Sequence, residues 1–172
     1  MKKLLILTSL ILFGACQKNT SGSTTQIPAQ RAEGVIMQET ASGESTWQLR
    51  ATSTDFYDNQ DVLMNNPKIT FNQGKGDAVL TAQKGTFKEG IITFTGSVVV
   101  TSKEEDLKLT TSKLYYNTNT KVAWTDVPFV LKRGGVTVQG KALKADKGFS
   151  NIEIFQQVTD LPPDLKGLQA LK

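Results

Sequence analysis

Leu49–Phe56 (LRATSTDF) is the first copy of a phrase that recurs at Leu80–Phe87 (LTAQKGTF), Leu109–Tyr116 (LTTSKLYY) and Val138–Ala145 (VQGKALKA). The four copies start 31, 29 and 29 residues apart. A regular period of this length is typical of stacked supersecondary units, each of which buries its apolar face only against its neighbours. We therefore expect function to depend on a shared surface instead of a point-like catalytic site.

Apolar residues alternate with polar ones in and between the copies. Trp47, Leu49 and Ala51, for example, lie two residues apart, and a period of two places such side chains on one face of a β-strand. Turn-forming residues separate these runs at roughly 8–12-residue spacing, which is typical of sandwiches and rolls. The sequence predicts an all-β fold, a twisted open β-jellyroll of two facing antiparallel sheets built from repeats of about 30 residues.

The N-terminus has the order of a secretory signal. Lys2 and Lys3 precede a short apolar run, and Gly14 and Ala15 precede Cys16. The run of about ten residues is too short for a membrane span, which needs ~20. Cys16 is the only cysteine and stands where a bacterial lipoprotein signal places the thiol that is acylated. We expect residues 1–15 to be a lipoprotein-type signal peptide and Cys16 to be lipidated, with an unmodified cysteine or an uncleaved anchor as alternatives.

The composition divides the rest of the chain into three parts. Residues 16–33 are polar and lack a period, which predicts a lipidated cysteine followed by a flexible tether. Residues 34–158 contain the repeats and form the β-jellyroll domain. In the tail, residues 159–172, two prolines end the last strand, and Leu165, Leu168 and Leu171 either fray or line a short amphipathic helix.

Residue types that carry most catalysis and metal binding are scarce. The chain of 172 residues has no histidine and one cysteine, which removes imidazole bases, Cys–His pairs and most transition-metal sites. The acidic run 104–106 is interpreted as a solvated turn, and Gly74–Gly76 lacks the Gly-Lys-Ser/Thr ending of a phosphate loop. We expect no enzymatic activity, no metal and no cofactor.

The charge is weakly basic. The formal net charge is +4, and Lys2 and Lys3 of the predicted signal contribute half of it. An exported chain without a basic stripe interleaved with aromatic residues is not expected to bind nucleic acid. Five strand cations either meet anionic head groups or protect strand edges from unwanted pairing. They are Lys103, Lys108, Lys113, Lys132 and Arg133.

The alternating apolar face has two interpretations. In a sandwich these side chains form an ordinary packed core. If the sheets are held slightly apart, the same face lines a cavity for an apolar ligand, as in larger rolls and barrels. Periodicity leaves both open.

Several motifs, in their order and spacing, resemble the LptC family of lipopolysaccharide-transport proteins, which shares its roll with LptA and the OstA-type domains. The resemblance spans residues 34 to about 158. Its motifs are WxLxA at Trp47–Ala51, TAQKGTF at Thr81–Phe87, GxVxV at Gly96–Val100 and DxPFVL at Asp126–Leu131. Gly43, Pro67, Gly96 and Gly140 also match the family pattern. For Gly140, close backbone approach or a bulge and a direct functional role are the alternatives.

The resemblance implies a periplasmic protein whose roll accepts the acyl chains of lipopolysaccharide. Such a protein receives the lipid from an inner-membrane transporter of the LptB, LptF and LptG type and passes it to an LptA-type protein by edge-strand pairing. The N-terminal lipid would anchor it to the inner membrane or, since Gln17 follows Cys16, to the outer membrane. The alternative function is a structural envelope lipoprotein with a packed roll and only protein partners.

On the lipid-carrier interpretation, the apolar parity of each strand selects the residues that line the groove. They are Trp47, Leu49, Phe71, Leu80, Phe94, Val98, Val100, Leu109, Trp124, Phe129 and Val138.

Overall fold

A computed structural model of the chain describes residues 27–72, 77–155 and 158–160. The predicted signal peptide, Cys16, most of the predicted tether and the tail beyond Asp160 lie outside these ranges. The described residues form strands and turns and contain no helix. The strands are β1 (Gln30–Ala41), β2 (Glu44–Phe56), β3 (Val62–Asn65), β4 (Lys68–Phe71), β5 (Ala78–Thr81), β6 (Lys84–Lys88), β7 (Ile91–Ser102), β8 (Leu107–Asn117), β9 (Val122–Thr125), β10 (Phe129–Arg133), β11 (Val136–Gly140), β12 (Ala142–Asp146), β13 (Ile152–Phe155) and β14 (Val158–Asp160).

Long strands cross between two layers, and short strands belong to one layer each. The C-terminal half of β2 pairs with β3 and its N-terminal half with β4. β7 and β8 divide their partners in the same way. The first layer thus has the order β2-β3-β6-β7-β8-β9-β12-β13, and the second has β2-β4-β5-β7-β8-β10-β11-β14. Every pairing is antiparallel, which confirms the predicted all-β roll.

Each copy of the repeated phrase runs from the second layer into the first. Positions one and three, such as Leu109 and Thr111, and positions six and eight, such as Leu114 and Tyr116, are buried or half-buried in every copy. The inward alternation therefore skips one residue in the middle of the phrase. At this point the chain passes from one layer to the other. We call the line along which the strands make this passage the corner. A bulge of this kind bends a strand without ending its pairing.

The first strand begins earlier than the sequence predicted. Residues 30–33 of the predicted tether pair with the end of β2, where Gln30 lies opposite Phe56. Nε of Arg31 also lies 2.6 Å from Oδ1 of the buried Asp55. This ladder and ion pair make residue 30, instead of the predicted residue 34, the start of the described domain.

Candidate functional site

Nine of the eleven side chains predicted to line a groove lie buried between the two layers, none more than 6% exposed. These nine are Trp47, Leu49, Phe71, Leu80, Phe94, Val98, Val100, Leu109 and Phe129. They come from both layers, so the apolar faces of the two layers point into one shared interior. Val138 is half-buried and packs against the same cluster.

Trp124 was assigned to the wrong face. In β9 the buried residues are Ala123 and Thr125, whereas Trp124 is only half-buried. Its indole stacks on Tyr115 with ring centroids 5.0 Å apart and an interplanar angle of 14°, and Lys113 Nζ lies 4.6 Å from the centroid of the Tyr115 ring. Trp124 therefore belongs to an aromatic and cationic cluster on the outer face of the first layer.

Several side chains that lie in the interior were not predicted from the sequence. Met64, Ile69, Leu114, Tyr116 and Leu143 are at most 1% exposed. Leu114 and Leu143 occupy position six of their copies and Tyr116 position eight. Comparison of the copies could therefore have identified them as interior residues. Phe149 is also fully buried, although it lies in the turn between β12 and β13 with a φ of 59°.

The interior is filled in this conformation. Leu49, Phe71, Leu80, Phe94 and Leu109 have no solvent-exposed surface, and Phe71 packs against Phe149 with ring centroids 6.3 Å apart. Of the two interpretations of the apolar face, the described residues show the packed one. A ligand would have to displace these contacts.

The two layers are joined differently on their two long sides. At the corner, continuous strands and backbone bonds connect them, such as Gln83 N to Gly96 O at 2.9 Å. On the opposite side the hairpin turns of the two layers meet, and within the described ranges no backbone hydrogen bond joins them there. We call this line the seam. Its closure depends on side chains.

The first seam contact joins Lys121, in the turn after β8, to Glu39 of β1 by an ion pair. Thr46 also donates a hydrogen bond to the Glu39 carboxylate. These two hydrogen bonds lower the pKa of Glu39 below its usual value, with the Lys121 bond contributing most. The carboxylate therefore stays ionised and able to hold both layers at neutral pH.

The second seam contact centres on Ser150, in the turn between β12 and β13. The Arg133 guanidinium donates to Ser150 O at 3.0 Å, and the Ser150 hydroxyl donates to Glu105 Oε1 at 3.1 Å. Arg133 and Glu105 also form an ion pair. Two residues of the second layer thus hold one turn of the first layer, next to the buried Phe149.

Apolar contact closes the seam between these polar groups. Tyr116 of the first layer meets Phe71 of the second edge-on, and Phe149 packs beside them. Burial raises the pKa of Tyr116, and its hydroxyl has no hydrogen-bond partner among the described residues. An unsatisfied buried hydroxyl costs free energy that a polar group entering the seam would recover.

Each of the family-pattern residues has an identifiable position. A Cβ at Gly140 would lie 2.8 Å from the Phe129 ring, so close backbone approach is the role that the geometry shows. Gly96 has a φ of +75° at the corner and abuts Gln83, while Pro67 is buried at the corner between β3 and β4. Gly43 forms the turn between β1 and β2.

The outer strands leave pairing edges. Among the described strands, β1 pairs only with β2, β13 only with β12 and β14 only with β11. The roll therefore offers a strand edge at each end of its layers. Such edges can accept a further strand from another chain.

The described part of the chain contains no helix long and apolar enough to span a bilayer. It also brings together no set of three or more acidic or cysteine side chains suited to a metal ion.

Comparisons with known proteins bear on this geometry. A family model described as lipopolysaccharide-assembly, LptC-related, matches residues 4–160. No curated protein sequence matches the chain. Among solved structures, LptH from Pseudomonas aeruginosa, described as the LptA-homologous periplasmic component of the lipopolysaccharide transport device, is similar with a TM-score of 0.54. The identity is 14%, and the match covers 68% of this chain and 95% of LptH, which establishes a shared fold.

Proposed function

The chain belongs to the LptC-related family of lipopolysaccharide-assembly proteins, and from this premise we propose that it is a membrane-anchored periplasmic carrier of lipopolysaccharide. It takes the lipid from an inner-membrane transporter of the LptB, LptF and LptG type and passes it to an LptA-type protein. The lipid travels with its acyl chains between the two layers of the roll.

The seam is the observation that carries this proposal. An apolar interior extends to a side of the roll where side chains, instead of backbone pairing, join the layers. Each methylene group moved from water into such an interior gains about 0.8 kcal/mol. An acyl chain can therefore offset the side-chain contacts that it displaces, while the strand ladders stay intact.

Loading requires the seam to open, because the interior is filled. The ion pair of Glu39 with Lys121 and the contacts around Ser150 have to break, and Phe149 has to leave the space beside Phe71. One partner of each contact, namely Lys121, Phe149 or Ser150, lies on a turn, and turns move more easily than paired strands. The filled conformation is then the unloaded state of the carrier.

Anchoring and handover use parts of the chain at its two ends. We assign the membrane anchor to a lipid on Cys16, with the inner membrane as the favoured location and the outer membrane as the alternative. The strand edges at the ends of the layers support handover by pairing with an edge strand of the LptA-type protein.

The filled interior also favours a second candidate function. A structural envelope lipoprotein would keep Phe71, Phe94 and Leu109 permanently packed and would bind only protein partners. The two functions differ in one property, which is whether the seam opens to a lipid.

Site-specific photo-crosslinking in cells tests this difference. A photoreactive residue at Phe94 or at the half-buried Val138 should capture lipopolysaccharide. The matched positions Thr93 and Trp124, on the outer face of the first layer, should capture little. Capture confined to the outer positions, or none at any of them, would favour the structural lipoprotein. In parallel, depletion of the protein should reduce lipopolysaccharide at the cell surface.

A further inference from the structure

The fold gathers cations that are scattered in the sequence. Lys103, Lys108, Lys132 and Arg133 line one surface concavity of about 610 Å³ at the end of the second layer. They come from the turn between β7 and β8 and from the paired strands β8 and β10. Lys113, the fifth cation noted in the sequence, lies over Tyr115 on the other layer.

The register places two of these charges side by side. Lys108 and Lys132 are direct cross-strand partners, and Thr101 lies opposite Lys108 on the other flank. Directly opposed residues hold their Cβ atoms roughly 5 Å apart, and like charges in this arrangement destabilise a sheet. An anion bound between the two ammonium groups would offset the repulsion between Lys108 and Lys132.

Three of the four cations in the concavity have no ion-pair partner in the described part of the chain. Lys103, Lys108 and Lys132 are exposed and have no carboxylate within ion-pair distance among the described residues. Arg133 pairs with Glu105, and Asp106 is the one acidic residue that lines the concavity. The excess of positive charge fits a ligand with more than one negative charge.

The concavity lies at the rim of the roll, where the interior and outer parities meet. Leu107 and Ser102, which line it, are buried residues of the interior parity of β8 and β7. Lys108 and Lys132 have the outer parity of β8 and β10. Arg133 belongs both to this concavity and to the seam contact with Ser150. An amphiphile with its acyl chains in the opened seam would thus present its head group here.

From this placement we infer that Lys103, Lys108 and Lys132 form a binding site for the phosphate groups of a lipid head group. The inference rests on the proposed carrier function, because the lipid source of the phosphate depends on acyl chains entering the roll. The ammonium groups make charge-assisted contacts to phosphate oxygens. Binding through them falls with rising salt.

The test compares two lipids on the full chain purified in detergent. Native mass spectrometry would measure the affinity for bisphosphorylated lipid A and for the same lipid without its phosphates. We expect the wild type to prefer the phosphorylated lipid by about tenfold or more, as expected for two charge-assisted contacts. The variant K108Q/K132Q should lose most of this preference but keep its affinity for the dephosphorylated lipid. The control K113Q/K144Q, on the outer face of the first layer, should keep both.

Each contrary result has a separate meaning. Equal affinity of the wild type for both lipids, or an undiminished preference in K108Q/K132Q, would overturn the phosphate site and leave the carrier function standing. Failure to bind either lipid would overturn the carrier function itself. Inorganic phosphate that binds at the two lysines as tightly as lipid A would overturn the head group as the source. Unchanged circular dichroism and thermal unfolding would show that the variants are folded.

Discussion

The rings of Phe71 and Tyr116 meet edge to face with their centroids 4.9 Å apart. Phe71 is the last residue of β4 and Tyr116 lies one residue before the end of β8. This contact between the layers therefore lies at the seam, away from the corner where continuous strands join them. Side-chain packing holds the roll shut where the backbone does not.

Truncating Phe149 at the seam should strongly destabilise the fold. Phe149→Ala removes a fully buried ring from the side of Phe71, and such changes cost about 3–5 kcal/mol in free energy of unfolding. Denaturant unfolding measures the loss. Phe155→Ala is the matched control, because Phe155 is 51% exposed and should change stability by less than about 1 kcal/mol. Equal losses in the two variants would mean that Phe149 does not pack in the interior.

Gly140 and Phe129 should behave as a coupled pair. Gly140→Ala places a methyl group 2.8 Å from the far end of the Phe129 ring and should destabilise the fold by about 1–3 kcal/mol. Phe129→Leu removes the clashing ring atoms. The double variant should therefore lose less stability than the sum of the two single losses. Simple additivity in urea unfolding would contradict the close approach.

The fold could be predicted from the sequence because the apolar positions of the repeated phrase are the ones that are buried. The alternation around Leu49, Leu80 and Leu109 indicated strands with one buried face, and the period of the copies indicated their stacking. The alternation did not reveal the extra residue at the corner. Because of that residue, the inward positions of each phrase are one and three before the corner and six and eight after it. Leu114 and Leu143, at position six, were therefore missed.

Trp124 shows why alternation alone can assign the wrong face. Val122 and Trp124 are the larger apolar residues of β9, but Ala123 and Thr125 are the ones that point inward. The register decides the matter, since Ala123 lies opposite the buried Tyr116 and Trp124 lies opposite Tyr115. There is room inside only for small side chains there, because Tyr116 already fills the space.

Phe149 could not be assigned from periodicity, because it lies in a turn. The dipeptide Lys147-Gly148, which is of a turn-forming type, lies in the turn between β12 and β13. The inward direction of the next side chain depends on a positive φ and on hydrogen bonds from the Gly148 and Ser150 amides to Asp146 Oδ1. An apolar ring directly after a turn dipeptide was the one available signal.

Trp124 also gives a prediction that separates the outer face of the first layer from the interior of the roll. Trp124→Ala should cost about 1–2 kcal/mol, because it removes a half-buried stack with Tyr115. Leu109→Ala, in the interior, should cost about 2–5 kcal/mol. Both are measured by denaturant unfolding. A Trp124 loss as large as that of Leu109 would place the indole in the core after all.

The Glu39 carboxylate should make stability sensitive to acid. Its pKa in the fold is lowered from the ordinary 4.5, chiefly by the hydrogen bond from Lys121 and then by that from Thr46. A group with a depressed pKa stabilises the fold above its unfolded pKa, and this contribution is lost as the pH falls through the folded pKa. Glu39→Gln should therefore be less stable than the wild type at pH 7, with the difference shrinking below pH 4.5.

Unfolding in denaturant at a series of pH values measures this difference. Asp55, whose pKa is lowered by its hydrogen bond with Arg31, keeps some acid sensitivity in the Glu39→Gln variant. Glu44→Gln, at an exposed carboxylate outside the described ion pairs, is the control and should follow the wild-type profile. If the free energy of unfolding of Glu39→Gln differed from that of the wild type by the same amount at every pH, the ion pair of Glu39 with Lys121 would not be what closes the seam.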